Sequence, residues 1–232
     1  SGDWLYVGHR NAAGFTRVDL RTFARERFVK TPRFTYELKV MAGGRVVSVE
    51  GSSFGFWTIT NPETGVSTSS VPWSDPIKNA SLGRTADRRT LFMADSGQCI
   101  TDCYLRRFRI EGDTVTGLGR VAWQRESFDI DRAVAPLQDG ATVLWAGYLW
   151  NLDDLIPFPK RAFYDDIYYK AALYSVTPNG QLTFSHKSAF RVADAIPTKT
   201  LPIQSSVQAI SADGSTLFLA APGDVRRVAI EY

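Results

Sequence analysis

The chain has 232 residues, 44% hydrophobic and 22% charged, which is enough apolar content for a core and too much for a disordered segment. A formal net charge of +3 is too small for a nucleic-acid footprint, so no nucleic-acid partner is expected. No apolar run reaches the ~18 residues of a membrane helix, so no membrane insertion is expected.

In chain order the signals are strands and turns. Asp3-Trp4-Leu5-Tyr6-Val7-Gly8 opens as a strand. Leu20 to Lys30 is the one stretch that reads as a turn of helix. Gly43-Gly44 then precedes the apolar run Val46-Val47-Ser48-Val49. Ala86-Asp87-Arg88-Arg89-Thr90-Leu91-Phe92-Met93-Ala94 is a turn followed by a strand, and Leu105 to Glu111 is a second strand. Gln138-Asp139-Gly140 introduces Ala141 to Ala146 in the same way. Thr177-Pro178-Asn179-Gly180, flanked by Leu173 to Val176 and Gln181 to Phe184, predicts a hairpin, because Asn-Gly readily takes the positive φ of a tight turn. Ala212-Asp213-Gly214-Ser215-Thr216-Leu217-Phe218-Leu219-Ala220 and Val225 to Glu231 close the chain.

These segments repeat. The stretch from Ala86 matches that from Ala212, and Leu105-Arg106-Arg107-Phe108-Arg109-Ile110-Glu111 matches Val225-Arg226-Arg227-Val228-Ala229-Ile230-Glu231, in the same order. With Leu5, Val46, Leu91, Val143 and Leu217 equivalent, the spacings are 41, 45, 52 and 74 residues. The first two fit the ~40–50-residue period of a repeated four-stranded unit, and the last two imply insertions.

Ser211 to Ala220 with the following Val225 to Ile230 resembles a blade of the WD40 and YVTN-type β-propellers, in which a Ser-x-Asp-Gly turn joins strand A to strand B. The resemblance implies an all-β fold, a small β-propeller of five blades formed as a single domain by residues 1–232. The register leaves the first blade without its strand A and the last without its strand D. Either the ring closes on two three-stranded blades, or neighbouring sequence of a larger protein completes it.

In such a fold the B–C loops share one face. On this register they are residues 9–13, 51–53, 95–102, 148–170 and 221–224, so that face is the expected binding face. The longest is too aromatic for a linker and supplies Trp150, Tyr164 and Tyr168 as anchors, with Asp153, Asp154, Asp165 and Asp166 giving polarity. His9 and Arg10 join them from the first loop. The chain's only cysteines, Cys99 and Cys103, lie within the reach of a disulfide, which would indicate an oxidising, extracytoplasmic compartment (secreted, periplasmic or cell-surface). One cysteine pair and two distant histidines make no metal set, and no cofactor motif is present.

Three functions fit this pattern. The first is a non-enzymatic binding module for a protein or glycan partner. The second is a hydrolase or lyase with carboxylates and His9 at the channel mouth. The third is a structural scaffold or assembly subunit recognised through its sheet edges.

Overall fold

A computed structural model describes residues 3–9, 11–50, 57–69, 80–95, 102–124, 134–145, 147–153, 161–163, 175–205 and 207–232. The described residues form 22 strands and one 3₁₀ turn, Ala42–Gly44. The strands lie in six antiparallel sheets, each built from strands consecutive in sequence. The chain divides into two compact units, Ser1–Phe128 and Asp129–Tyr232.

The first unit holds three sheets. Sheet one is β1 (Trp4–Gly8), β2 (Gly14–Asp19) and β3 (Arg25–Lys30). Sheet two is β4 (Glu37–Val40), β5 (Val46–Val49), β6 (Trp57–Thr60) and β7 (Ser67–Ser69). Sheet three is β8 (Ser81–Arg84), β9 (Thr90–Ala94), β10 (Asp102–Glu111) and β11 (Thr114–Gln124). Apolar residues on the facing sides of these sheets make its cores. Phe15, Val29 and Val46 pack with Tyr6, Leu38 and Val40 between sheets one and two. Val47, Val49, Trp57 and Ile59 meet Leu82, Leu91, Met93, Phe108 and Ile110 between sheets two and three. Full burial of each such side chain favours folding by about 1.5–3 kcal/mol.

The second unit repeats the plan. Sheet four is β12 (Val134–Pro136), β13 (Thr142–Trp145), β14 (Tyr148–Asn151) and β15 (Arg161–Ala162). Sheet five is β16 (Ser175–Val176), β17 (Leu182–Phe184), β18 (Ser188–Arg191) and β19 (Pro197–Thr200). Sheet six is β20 (Val207–Ile210), β21 (Thr216–Ala221) and β22 (Asp224–Ala229). Ala135, Leu144, Phe163 and Phe190 join sheets four and five, while Leu182, Phe184, Leu217 and Leu219 join sheets five and six.

The repeated Ser/Thr-x-Asp/Asn motif is a hydrogen-bonding device at the turn into the second strand. In sheet three the Thr85 hydroxyl donates to Asp87 at 2.6 Å and accepts the Thr90 N–H at 3.1 Å, while Asp87 accepts the Arg89 N–H at 3.0 Å. Thr177, Asn179, Gln181 and Leu182 repeat these bonds in sheet five. Ser211, Asp213, Ser215 and Thr216 repeat them in sheet six. In sheet four Asp139 alone accepts the N–H groups of Ala141 and Thr142. Asx and Ser/Thr side chains hold a turn by mimicking backbone partners, so four residues within a short local span specify this corner.

The all-β class and the strand order agree with the sequence expectation, including three-stranded first and last sheets. Three details differ. Six sheets stand where five repeats are counted in the sequence, because the interval after Val143 contains a whole extra sheet around the Thr177 turn. Leu20 to Lys30 is a turn followed by β3, not helix, since Arg25 to Lys30 pairs along β2. Residues 148–170 are not one loop. A tight turn at Gly147 (φ 72°) returns the chain at once into β14, and β15 follows as the fourth strand.

Candidate functional site

A well-defined groove lies in the first unit. It is a groove of about 570 Å³ at the strand ends that carry the β2–β3 turn of sheet one, the β4–β5 and β6–β7 turns of sheet two and the β8–β9 turn of sheet three. Trp4 and Tyr6 come from β1, and Leu20 from the β2–β3 turn. Met41 to Arg45 form the β4–β5 turn and Asn61 to Glu63 lie in the β6–β7 turn, while Arg84 ends β8 and Arg88 lies in the β8–β9 turn. Gly43 and Gly44 take φ values of 72° and 76°, and a Cβ on either would meet nothing within 4 Å, so this turn presents bare backbone to the groove.

Charge in the groove is partly neutralised from within. The Arg17 guanidinium is buried behind Trp4, with its carbon 4.2 Å from the ring centroid, and is ion-paired to Glu26 and Glu63. Those hydrogen-bonded carboxylates push its pKa up, and the Arg17 guanidinium in turn holds Glu26 below the usual carboxylate range. Arg45 is bidentate to Asp113 at 2.6 and 3.0 Å. Arg84 is half-buried, and its one side-chain hydrogen bond among the described residues is a long one, 3.5 Å, to the Thr85 carbonyl. Burial, with the neighbouring Arg88 charge, pushes its pKa down.

The residues expected from sequence lie elsewhere or outside the description. His9 sits at the β1–β2 turn, the opposite strand end of sheet one from the groove. Its Nε2 is 2.7 Å from the Thr16 hydroxyl on β2, and its ring packs on Phe28 of β3, which anchors the side chain to its own sheet. Trp150 is a core residue and not an exposed platform: it is fully buried in β14 and packs on Trp145, whose carbonyl accepts its indole N–H at 3.1 Å. Asp153 is exposed just after β14, where the third-to-fourth strand connection leaves sheet four, and so is not on a second-to-third strand loop. Arg10, Asp154, Tyr164, Asp165, Asp166 and Tyr168 lie outside the described residues. Cys99 lies outside them as well, and Cys103 is fully buried in β10.

At the second-to-third strand end of sheet three is a buried ion pair. Arg106 donates to Asp95 at 2.9 Å, with both side chains at most 2% exposed, and Asp95 also accepts the Tyr104 N–H. The Arg106, Arg107 and Arg109 run therefore is not a cationic stripe: the first two are buried and only Arg109 is exposed.

Sequence reading missed Trp4, Tyr6, Arg84 and Arg88 as groove residues. One signal was available in the aligned turns. Gly140, Gly180 and Gly214 fill the left-handed corner of three of them, and Arg88 fills it in the fourth.

No protein-family model matches the chain, and neither does any curated protein. Among solved structures it is similar to hydrazine synthase of Kuenenia stuttgartiensis, with a TM-score of 0.75 and 13% sequence identity. The match covers 99% of this chain and 81% of that one. At that identity the likeness is one of fold.

Proposed function

We propose that the six sheets are the blades of a small β-propeller and that the protein is a non-enzymatic binding module for a protein or glycan partner. The consecutive antiparallel sheets, the approach of the first strands to one another within each unit (β4 to β8, β12 to β16, β16 to β20) and the likeness in fold support the propeller reading. The groove of the first unit carries the functional one. It combines aromatic and apolar walls, exposed turn backbone and cationic side chains, which is the composition of a recognition pocket. Its lining contains one carboxylate, Glu63, and that group is ion-paired to Arg17, whereas two-carboxylate hydrolysis needs a second acid across the substrate. We also read the protein as extracytoplasmic, with Cys99 and Cys103 bonded.

The test is an array of glycans and peptides probed with the whole chain and with Ala42→Trp, which puts an indole into the groove. Binding that weakens at least ~10-fold (about 1.4 kcal/mol) in the variant, with unchanged thermal unfolding, is the expected result. Binding indifferent to the indole would move the site away from the groove.

A further inference from the structure

We propose that the groove holds an anionic group of its ligand, a carboxylate or phosphate, between Arg84 and Arg88. This rests on the groove being the binding site. The argument begins with charge. Of the arginines around the groove, Arg17 is neutralised by Glu26 and Glu63, and Arg45 by Asp113. Among the described residues no carboxylate pairs with Arg84 or Arg88. Two like charges therefore share one wall, close enough for Arg88 to act on Arg84, and one of them is half-buried. A buried cation without a counter-ion is unfavourable, and an entering anion relieves both its desolvation and the mutual repulsion.

The backbone gives a second, independent indication. The equivalent corner is glycine in the other three motif turns, at φ 69°, 72° and 76°. Arg88 occupies it at φ 62°, a region where a Cβ is disfavoured and glycine is not. The Asp87 and Thr85 hydrogen bonds enforce the corner whatever residue fills it. A large side chain at this position, against its backbone preference and lining a cavity, fits a binding role. Guanidinium forks match planar carboxylate and tetrahedral phosphate oxygens in paired hydrogen bonds, which Lys does not.

The experiment uses the full chain labelled with ¹⁵N, titrated separately with inorganic phosphate and with citrate. The arginine Nε–H signals of Arg84 and Arg88 are followed, and Arg84→Met and Arg88→Gly are run in parallel. Saturable shifts of both signals are expected for at least one anion. Affinity should fall at least ~10-fold in either variant, and should weaken between about 50 mM and about 500 mM NaCl as the charges are screened. The stronger of the two responses distinguishes phosphate from carboxylate. Arg88→Gly is also expected to raise Tm, because glycine is unstrained at this corner. That variant therefore separates lost binding from lost folding. Absent shifts, or shifts that survive in both variants, overturn the anion site. The Ala42→Trp array result is independent of both, so a binding module with a neutral ligand remains distinguishable.

Discussion

Replacing Asp95 by Ala tests whether the ion pair at the β9–β10 end is as dry as its geometry indicates. Both side chains are inaccessible, the contact is 2.9 Å, and Arg106 Nη2 already has no hydrogen-bond partner among the described residues. Removing the carboxylate leaves a guanidinium buried without its counter-ion, and the Tyr104 N–H loses an acceptor. Breaking a buried pair from one side costs about 3–5 kcal/mol, a large share of the ~5–15 kcal/mol that holds a domain folded. For a unit of this size each kcal/mol lowers Tm by roughly 3–6 °C, so a fall of about 9–30 °C is expected. Adding Arg106→Met removes the stranded charge, and only the unsatisfied N–H and imperfect packing remain, together about 1–3 kcal/mol. The double variant should therefore recover about half of the loss or more. Calorimetry and urea unfolding of the four proteins measure both quantities. A single-variant cost below about 1 kcal/mol would mean that water reaches Arg106 and would refute the reasoning. A double variant as unstable as the single would show that shape, not charge, is what Asp95 supplies.

Trp150→Phe should cost about 1–2 kcal/mol by urea unfolding, because the buried Trp145 carbonyl loses its indole donor; a change near zero would mean the bond contributes nothing. Asp213, held to about pKa 2 by hydrogen bonds from the Ser211 hydroxyl and the Ser215 N–H and hydroxyl, has a folded value below its unfolded one. Its contribution to stability is thus fully present above about pH 4 and fades as pH falls towards about 2. The Tm gap between the native chain and Asp213→Asn should narrow over that window, and a gap that widens on acidification would contradict the turn geometry. Thiol titration of the denatured, unreduced chain should find no free cysteine, whereas two thiols would end the proposed Cys99–Cys103 bond.

The parts of this protein legible from sequence are those whose determinants lie within a few residues of one another. The corner at Asp213 is made by Ser211, Asp213, Ser215 and Thr216, and its pattern around Asp87 betrays the repeat, whereas at Thr177 the same corner reads in the sequence only as a hairpin and goes uncounted. Strand class follows for the same reason, from alternation and turn residues. What happens after Val143 needed the tertiary structure. Only pairing of β14 with β13 and β15 turns an aromatic stretch into strands, and only packing against Trp145 makes Trp150 core. Aromatic composition is common to buried wedges and exposed platforms, so it does not separate them. The groove is more remote still from linear reading. Trp4, Met41, Glu63 and Arg88 share no motif and are spread over more than eighty residues, brought together because sheets one, two and three pack side by side. Sequence offered one trace of it, an arginine at the corner where the other turns have glycine. Local hydrogen bonds wrote the turns, and long-range burial of apolar faces decided which side chains would meet.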